Sequence, residues 1–338
     1  METIKKYDVY GIGNALVDTE YEVDDEFIAA TKWQKGIMTL IEADERAELI
    51  HLLEEKHEHQ VVKLAGGGSA ANTIVIVAQL GGASFYSCKV ANDKTGDFFM
   101  KDLTDAGVDT NLDDSRESGI TGECISMVTP DAERTMTTHL GITQDLSVKE
   151  LDADSLENST YLYIEGYLVS SPTGFEAALK AQSIARAAGV MVTLTLSDPA
   201  MVENYKAAFN QLISGGVDIL FCNEDEAILW TGAATRDDAI KIIQEACPKF
   251  AITCGKEGAI VSDGIKISMV PGIPTTPVDT TGAGDIFAGS FLYALSRGAS
   301  YREAAMLANS AASLLISNYG ARLTADVVAE NLTLSSEQ

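Results

Sequence analysis

Residues 277–298 read PVDTTGAGDIFAGSFLYALSRG. A turn-like stretch runs through Gly282-Ala283-Gly284 and passes into a helix with apolar positions Ile286, Phe287, Phe291, Leu292 and Leu295. Small residues at 282–284 let the chain bend with its N–H groups pointing one way, and the helix adds the positive end of its dipole. The product is an anion hole suited to the charge on a transferring phosphoryl group. Asp285 falls in the first helical turn, where a carboxylate can take the proton of a hydroxyl that attacks phosphorus. An Asp there can also simply cap the helix, but a plain cap does not need TTGAG before it.

A second glycine-rich segment, LAGGGSAANTIVIVAQLGG (64–82), ends a strand and opens a helix near Ser69. A turn without side chains lets another molecule approach the backbone. Asn72, one turn further, offers a donor and an acceptor to a sugar hydroxyl; a strand-to-helix turn with no ligand is the plain alternative. Neither segment is GxxxxGK[ST], and GIGNAL (11–16) fails GxGxxG at its last position, so neither a P-loop nor a dinucleotide fingerprint is present.

Working outward, short β-branched runs predict buried parallel strands at 61–66, 161–166, 190–196, 217–223 and 250–255. Amphipathic helices are expected between them at 69–80, 173–189 and 237–247. This alternation implies an α/β fold of three layers, α/β/α, with a mostly parallel sheet. Two stretches depart from it. Residues 15–41 include YEV and GIMTLI, and residues 119–140 alternate around the turn signal Pro130-Asp131. Both read as antiparallel strands. They are expected to meet as a small β-sheet lid (15–41 and 119–140) over a core of 1–14, 42–118 and 141–338. The polar last dozen residues are expected to fray.

The chain has 338 residues, 46% of them hydrophobic, with 50 Asp+Glu against 24 Lys+Arg and a net charge of −26. The hydrophobic share supports a folded core. The charge argues against nucleic acid and anionic membranes as partners, though backbone N–H groups can still hold a small anion such as ATP. Cys88, Cys124, Cys222, Cys247 and Cys254 are scattered without a CxxC, which reads as reduced thiols in a cytoplasmic protein. METIKKYDVYGIGNA lacks the apolar core of a signal peptide, and no apolar run reaches the roughly 20 residues of a membrane span. His51, His57 and His59 fall on a polar helix and its end, without metal-ligand spacing.

GGGSAAN near the first quarter and DTTGAGD near the end together resemble the ribokinase-like (PfkB) family of carbohydrate and nucleoside kinases. The resemblance runs over roughly residues 5–330 and includes the lid. It implies ATP and Mg²⁺, a nucleoside or sugar acceptor, Asp285 as catalytic base and Gly282, Ala283 and Gly284 as the anion hole. It implies that Asp18, Gly68, Ser69 and Asn72 meet the acceptor, with Glu165 and Arg134 as further substrate-side candidates. On the nucleotide side it points to Asn223, Glu226, Thr253, Gly255, Gly258 and Asn309. Glu226 would support Mg²⁺ through water, and Asp279 and Thr281 would lie beside a K⁺. GIGNALVD, Ser69 and AGGGSAANT look more like adenosine kinases of this family, with Ile37, Met38, Met136 and Tyr167 as candidate walls for a base. Ala70 and Ala71 depart from the bulkier residues of eukaryotic adenosine kinases and leave a ribose- or fructose-type sugar open. A non-catalytic nucleoside-binding protein is the rival of another class, and monomer and homodimer are both open.

Overall fold

Strands account for both sheets of the computed structural model, which describes residues 5–55, 61–131 and 133–333. They are β1 (Tyr7–Ile12), β2 (Leu16–Glu22), β3 (Met38–Leu40), β4 (Val61–Gly67), β5 (Ser84–Ser87), β6 (Asp109–Thr110) and β7 (Gly122–Val128). The remainder are β8 (Arg134–His139), β9 (Ser159–Ile164), β10 (Met191–Thr195), β11 (Ile219–Asn223), β12 (Lys249–Thr253), β13 (Gly258–Asp263) and β14 (Ile267–Pro271). The larger sheet has the order β14-β13-β12-β11-β10-β9-β1-β5-β6. It is parallel from β12 to β6, and β13 and β14 join one edge antiparallel. Consecutive residues Tyr161 to Ile164 of β9 are all buried, so helices cover both faces, as an apolar parallel strand requires. The expected helices appear at Ser69–Gln79, Pro172–Ala187 and Arg236–Ala246.

The second sheet, β3-β8-β7-β2-β4, is the lid. The β7–β8 hairpin is antiparallel around Pro130-Asp131, but β2 runs parallel to β7 and β3 parallel to β8. The all-antiparallel expectation therefore fails at those two pairings, because β2 and β3 enter from distant parts of the chain instead of from hairpins. The stretch 61–66 is also corrected. It is not a buried core strand but lies in β4, an edge of the lid sheet, with Val61, Val62 and Leu64 exposed. A run of β-branched residues looks the same on an exposed edge as in a core. The Ala43–Glu55 helix likewise belongs with the lid: Leu49 and Leu53 pack with Val23, Phe27, Trp33, Ile125 and Met127 in a hydrophobic cluster of their own. Near the C-terminus, the expected fraying from residue 327 is replaced by an Ala325–Asn331 helix anchored by buried Val328. His57, His59 and residues 334–338 lie outside the described residues.

The lid and core meet where β4 runs into the Ser69–Gln79 helix through Gly66-Gly67-Gly68. Gly68 has φ +97°, and a Cβ there would stand 2.2 Å from the Asn14 carbonyl oxygen. Both facts demand glycine. Gly68→Ala should cost about 3 kcal/mol or more from backbone strain and overlap. A urea midpoint within error of wild type would show that the turn adapts.

Candidate active site

Asp285 lies in the first turn of the Ala283–Ser296 helix, but its carboxylate does not cap that helix. Ser69 Oγ donates to Asp285 Oδ1 at 2.6 Å, and Asn72 Nδ2 donates to Oδ2 at 3.0 Å. The two glycine-rich motifs thus close on one carboxylate. Burial raises its pKa to about 6, and Ser69, Asn72 and Arg322 pull against that rise. The helix is capped by Gly282, which has φ +77° and no side chain to satisfy the first-turn N–H groups. Ala283 N–H turns back to the Thr280 carbonyl at 3.2 Å. A Cβ on Gly282 would stand 2.6 Å from the Ala321 carbonyl oxygen, so this turn also requires glycine.

Asp18 projects from β2 beside Ala65 of β4 and Cys124 of β7. Its carboxylate makes no hydrogen bond to any described residue. Burial pushes its pKa to about 6, against the pull of Arg322, Lys63 and Arg134. A carboxylate in that condition seeks hydroxyl donors. Glu165 behaves differently. It is 1% exposed, and its oxygens accept from Asn14 N–H (3.2 Å), Asn14 Nδ2 (2.9 Å) and Ala70 N–H (2.8 Å). Burial raises its pKa to about 7. Glu165 therefore braces the end of β1 against the start of the Ser69–Gln79 helix, and its hydrogen bonds run inward to the protein.

The nucleotide-side candidates gather at the carboxyl ends of β11 and β12, where open α/β sheets bind ligands. Asn223 and Thr253 are register partners, and Gly255 lies in the single 3₁₀ turn that leads to Gly258. Gly258 pairs with Pro271. Asn309 Nδ2 donates to the Val270 and Pro271 carbonyls at 3.2 and 3.1 Å, so this buried amide ties its helix to β14. Asn223 and Glu226 form a capping box on the Glu224–Thr231 helix. Glu226 is 4% exposed. Burial raises its pKa to about 7, and the negative charges of Asp198, Asp225 and Asp285 add to that rise. Both Glu226 oxygens already accept from Asn223, at 3.0 Å from its N–H and 2.7 Å from Nδ2. Among the described residues no group of three or more His, Cys, Asp or Glu side chains is placed to hold a metal ion, so a divalent cation here would rest on water and the substrate phosphates.

The Asp279 side does not fit a cation equally well. Asp279 Oδ1 accepts from Thr281 N–H at 2.9 Å, and Oδ2 accepts from Gly320 N–H and Arg134 Nη1, both at 2.9 Å. Burial opposes ionisation, yet these donors and the Arg134 charge hold the Asp279 pKa below the usual carboxylate value. A monovalent cation here would compete with the guanidinium. Arg134 also donates to Glu20 at 3.0 Å and lies 5.2 Å over the Tyr319 ring, joining lid to core. A cavity of about 550 Å³ opens there between Glu20, Pro130, Arg134 and Tyr319.

Sequence reading missed Asn14, Asp198, Asp102 and Arg322. Arg322 Nε donates to Asn72 Oδ1 at 2.8 Å, and Nη1 pairs with Asp102. Asn14 stood in GIGNALVD, four positions before the candidate Asp18. Arg322 follows no motif and reaches the site only through the tertiary fold.

Among the described residues no helix is long and apolar enough to cross a membrane. A family model described as pfkB family carbohydrate kinase matches residues 35–327. The solved structure of adenosine kinase from Sinorhizobium meliloti is 36% identical, covers 96% of this chain and 99% of that chain, and superposes with a TM-score of 0.84. A probable sugar kinase from Rhizobium etli CFN 42 is 34% identical over 96% of this chain and 98% of that one, also with a TM-score of 0.84. Adenosine kinase 2 of Arabidopsis thaliana is 28% identical over 95% of this chain and 97% of its own length. With its paired glycine-rich turns closing on Asp285, the chain belongs to the pfkB family of carbohydrate kinases, phosphotransferases with an alcohol acceptor.

Proposed function

We propose that this kinase transfers the ATP γ-phosphoryl group to the primary hydroxyl of a nucleoside, with adenosine as the preferred acceptor. The observation that carries the reading is the lid register. Asp18 shares a row with Cys124, Thr138 and Leu40, and the next row holds Glu20, Ser126, Met136 and Met38. Hydroxyl acceptors and apolar side chains thus share one lid face. Met38 and Leu40 are 52% and 61% exposed, costly positions unless something apolar covers them. A nucleoside offers a ribose to Asp18 and a flat base to the methionines, whereas a free sugar leaves them bare. The Sinorhizobium and Arabidopsis relatives named adenosine kinase support the same choice, and the Rhizobium relative named a probable sugar kinase keeps a ribose- or fructose-type acceptor as the second reading.

In this reading Asp285 receives the proton of the attacking hydroxyl, while Ser69 and Asn72 hold its carboxylate still. The N–H groups of Gly282 and Gly284 would face the charge that develops on the γ-phosphoryl group, with Ala283 N–H held by the Thr280 carbonyl to shape the turn. Mg²⁺ bound with ATP supplies charge neutralisation on the phosphates. Glu226, with Asp198 and Asp225 near it, would hold that ion through water. Asp18 accepts from the sugar hydroxyls, and the lid shields the reacting groups from water.

The test is ADP formation from ATP and Mg²⁺ with adenosine, inosine, guanosine, cytidine, ribose, fructose or no acceptor. Adenosine-dependent turnover is expected. Turnover with ribose or fructose alone would replace the acceptor and keep the mechanism, and no turnover with any acceptor would favour a binding role. A pH profile adds a second check. Asp18 and Asp285 both carry pKa values raised to about 6, and both act ionised. Below about pH 6, log kcat/KM for the acceptor should therefore fall with a slope steeper than one. A flat profile down to pH 5 contradicts these roles.

A further inference from the structure

The segment Gly320-Ala321-Arg322 lies outside every motif, yet it touches the Asp279–Gly282 turn at two points and the glycine turn at 66–68 at a third. Gly320 N–H donates to Asp279 Oδ2 at 2.9 Å. The Ala321 backbone abuts Gly282 so closely that a Cβ on that glycine would overlap it. The Arg322 side chain, 13% exposed, reaches under the Gly66-Gly67-Gly68 turn. There it donates through Nε to Asn72 Oδ1 at 2.8 Å and pairs through Nη1 with Asp102 on the Lys94–Asp105 helix.

Arginine carries donors only, in a rigid planar fork. Its bond to Oδ1 therefore settles which way the Asn72 amide points. With the oxygen held by Arg322, Nδ2 must face Asp285, as it does at 3.0 Å. The reversed amide would place an oxygen against the carboxylate. Asp102, on a helix outside the catalytic motifs, anchors the fork. The result is a continuous chain Asp102–Arg322–Asn72–Asp285.

We propose that Arg322 is a positioning residue of the phosphoryl-transfer step, which fixes the Asn72 amide and through it aims the Asp285 carboxylate at the acceptor hydroxyl. This rests on Asp285 acting as the base. The charge of Arg322 works in the same direction, because it lowers the pKa that burial raises. The other titratable groups that act together with Asp285 are Tyr86 on β5, Tyr163 on β9, Glu165 and Tyr167 just after β9, and Glu226 on the Glu224–Thr231 helix. None of these brings a positive charge, so losing Arg322 leaves burial less opposed. Asp18 feels Arg322 in the same sense.

The experiment measures kcat and KM for both substrates from pH 5.5 to 9, with melting temperatures, on full-length wild type, Arg322→Gln, Arg322→Lys and Asp285→Asn. Arg322→Gln should move its acid limb to higher pH, with a kcat deficit of about twofold at pH 7 that grows to several-fold at pH 5.5, the pattern that a rise of about one pKa unit above about 6 produces. The deficit should narrow toward pH 9, and the ATP KM should change less than about twofold. Arg322→Lys should keep an acid limb near that of wild type but a reduced kcat, because a point charge cannot hold Asp102 and Asn72 together. A folded Arg322→Gln profile that superimposes on wild type overturns the proposal. So does an equal loss at every pH together with a raised KM for both substrates, the mark of a merely structural role. If Arg322→Gln does not fold, an unchanged kcat in Arg322→Lys overturns it instead. Turnover retained by Asp285→Asn would instead reject the base assignment itself, and so separates that failure from a failure at Arg322.

Discussion

Asp285→Asn should lower kcat by about 10³-fold, within the 10²–10⁴ range of a lost general base, while the substrate KM values move little. The substitution is well suited to isolate proton transfer, because the amide can keep both hydrogen bonds. Its oxygen accepts from Asn72 Nδ2, and its NH₂ donates to Ser69 Oγ, which can accept as readily as donate. Geometry is kept and basicity is lost. Stability should not fall with activity. The folded carboxyl titrates at about 6 against 3.8 for the free group. A folded pKa above the unfolded one means that stability is lost as pH rises between those values, and the full penalty is present at pH 8. The amide removes it, so Asp285→Asn should melt at or above the wild-type temperature at pH 8. A stable variant with near-normal kcat would remove Asp285 from the chemistry. A variant that melts much lower would mean that the carboxylate is held for structure.

The core was readable from the sequence because its signals are local. Apolar runs of β9 to β12 are bounded by turns, and the helices between them have a clear period. The meeting of GGGSAAN with DTTGAGD was readable only through resemblance. No periodicity brings Ser69 and Asn72 to Asp285, more than two hundred positions away in the chain. The lid was half readable. The β7–β8 hairpin has its turn signal, but the parallel pairings of β2 and β3 are set by tertiary placement. The segment 61–67 shows the limit most clearly. Its residues suit a strand in either sheet, and only the chain's return from the Ala43–Glu55 helix puts β4 on the lid's edge. Arg322 and Asp102 were invisible for a related reason. A half-buried arginine in a loop has no periodicity and no motif, and its value lies in partners contributed by two distant helices.

Asp18→Ala should lower kcat/KM for the acceptor by about 10²-fold or more, with the ATP KM within about twofold of wild type. The size follows from what Asp18 lacks. Its carboxylate meets no donor among the described residues, and burial has raised its pKa to about 6. Two sugar hydroxyls would supply the missing donors, and each hydrogen bond to a charged group contributes about 1.5–3 kcal/mol. Where that loss appears is informative. If Asp18 grips substrate and transition state alike, the acceptor KM rises and kcat holds; if it aligns the hydroxyl for attack, kcat falls as well. The proposed acceptor site favours the second outcome, because Asp18 sits on β2 of the lid sheet and Asp285 on the Ala283–Ser296 helix of the core, so an acceptor bound by Asp18 would be aligned by it toward Asp285. An acceptor lacking the 2′- and 3′-hydroxyls provides the reciprocal test. It should be a poor substrate for wild type, yet lose little more on Asp18→Ala, because the substitution then removes a partner that the ligand does not use. If the deoxy acceptor and the variant instead lose independent and additive factors, Asp18 contacts something other than the sugar diol.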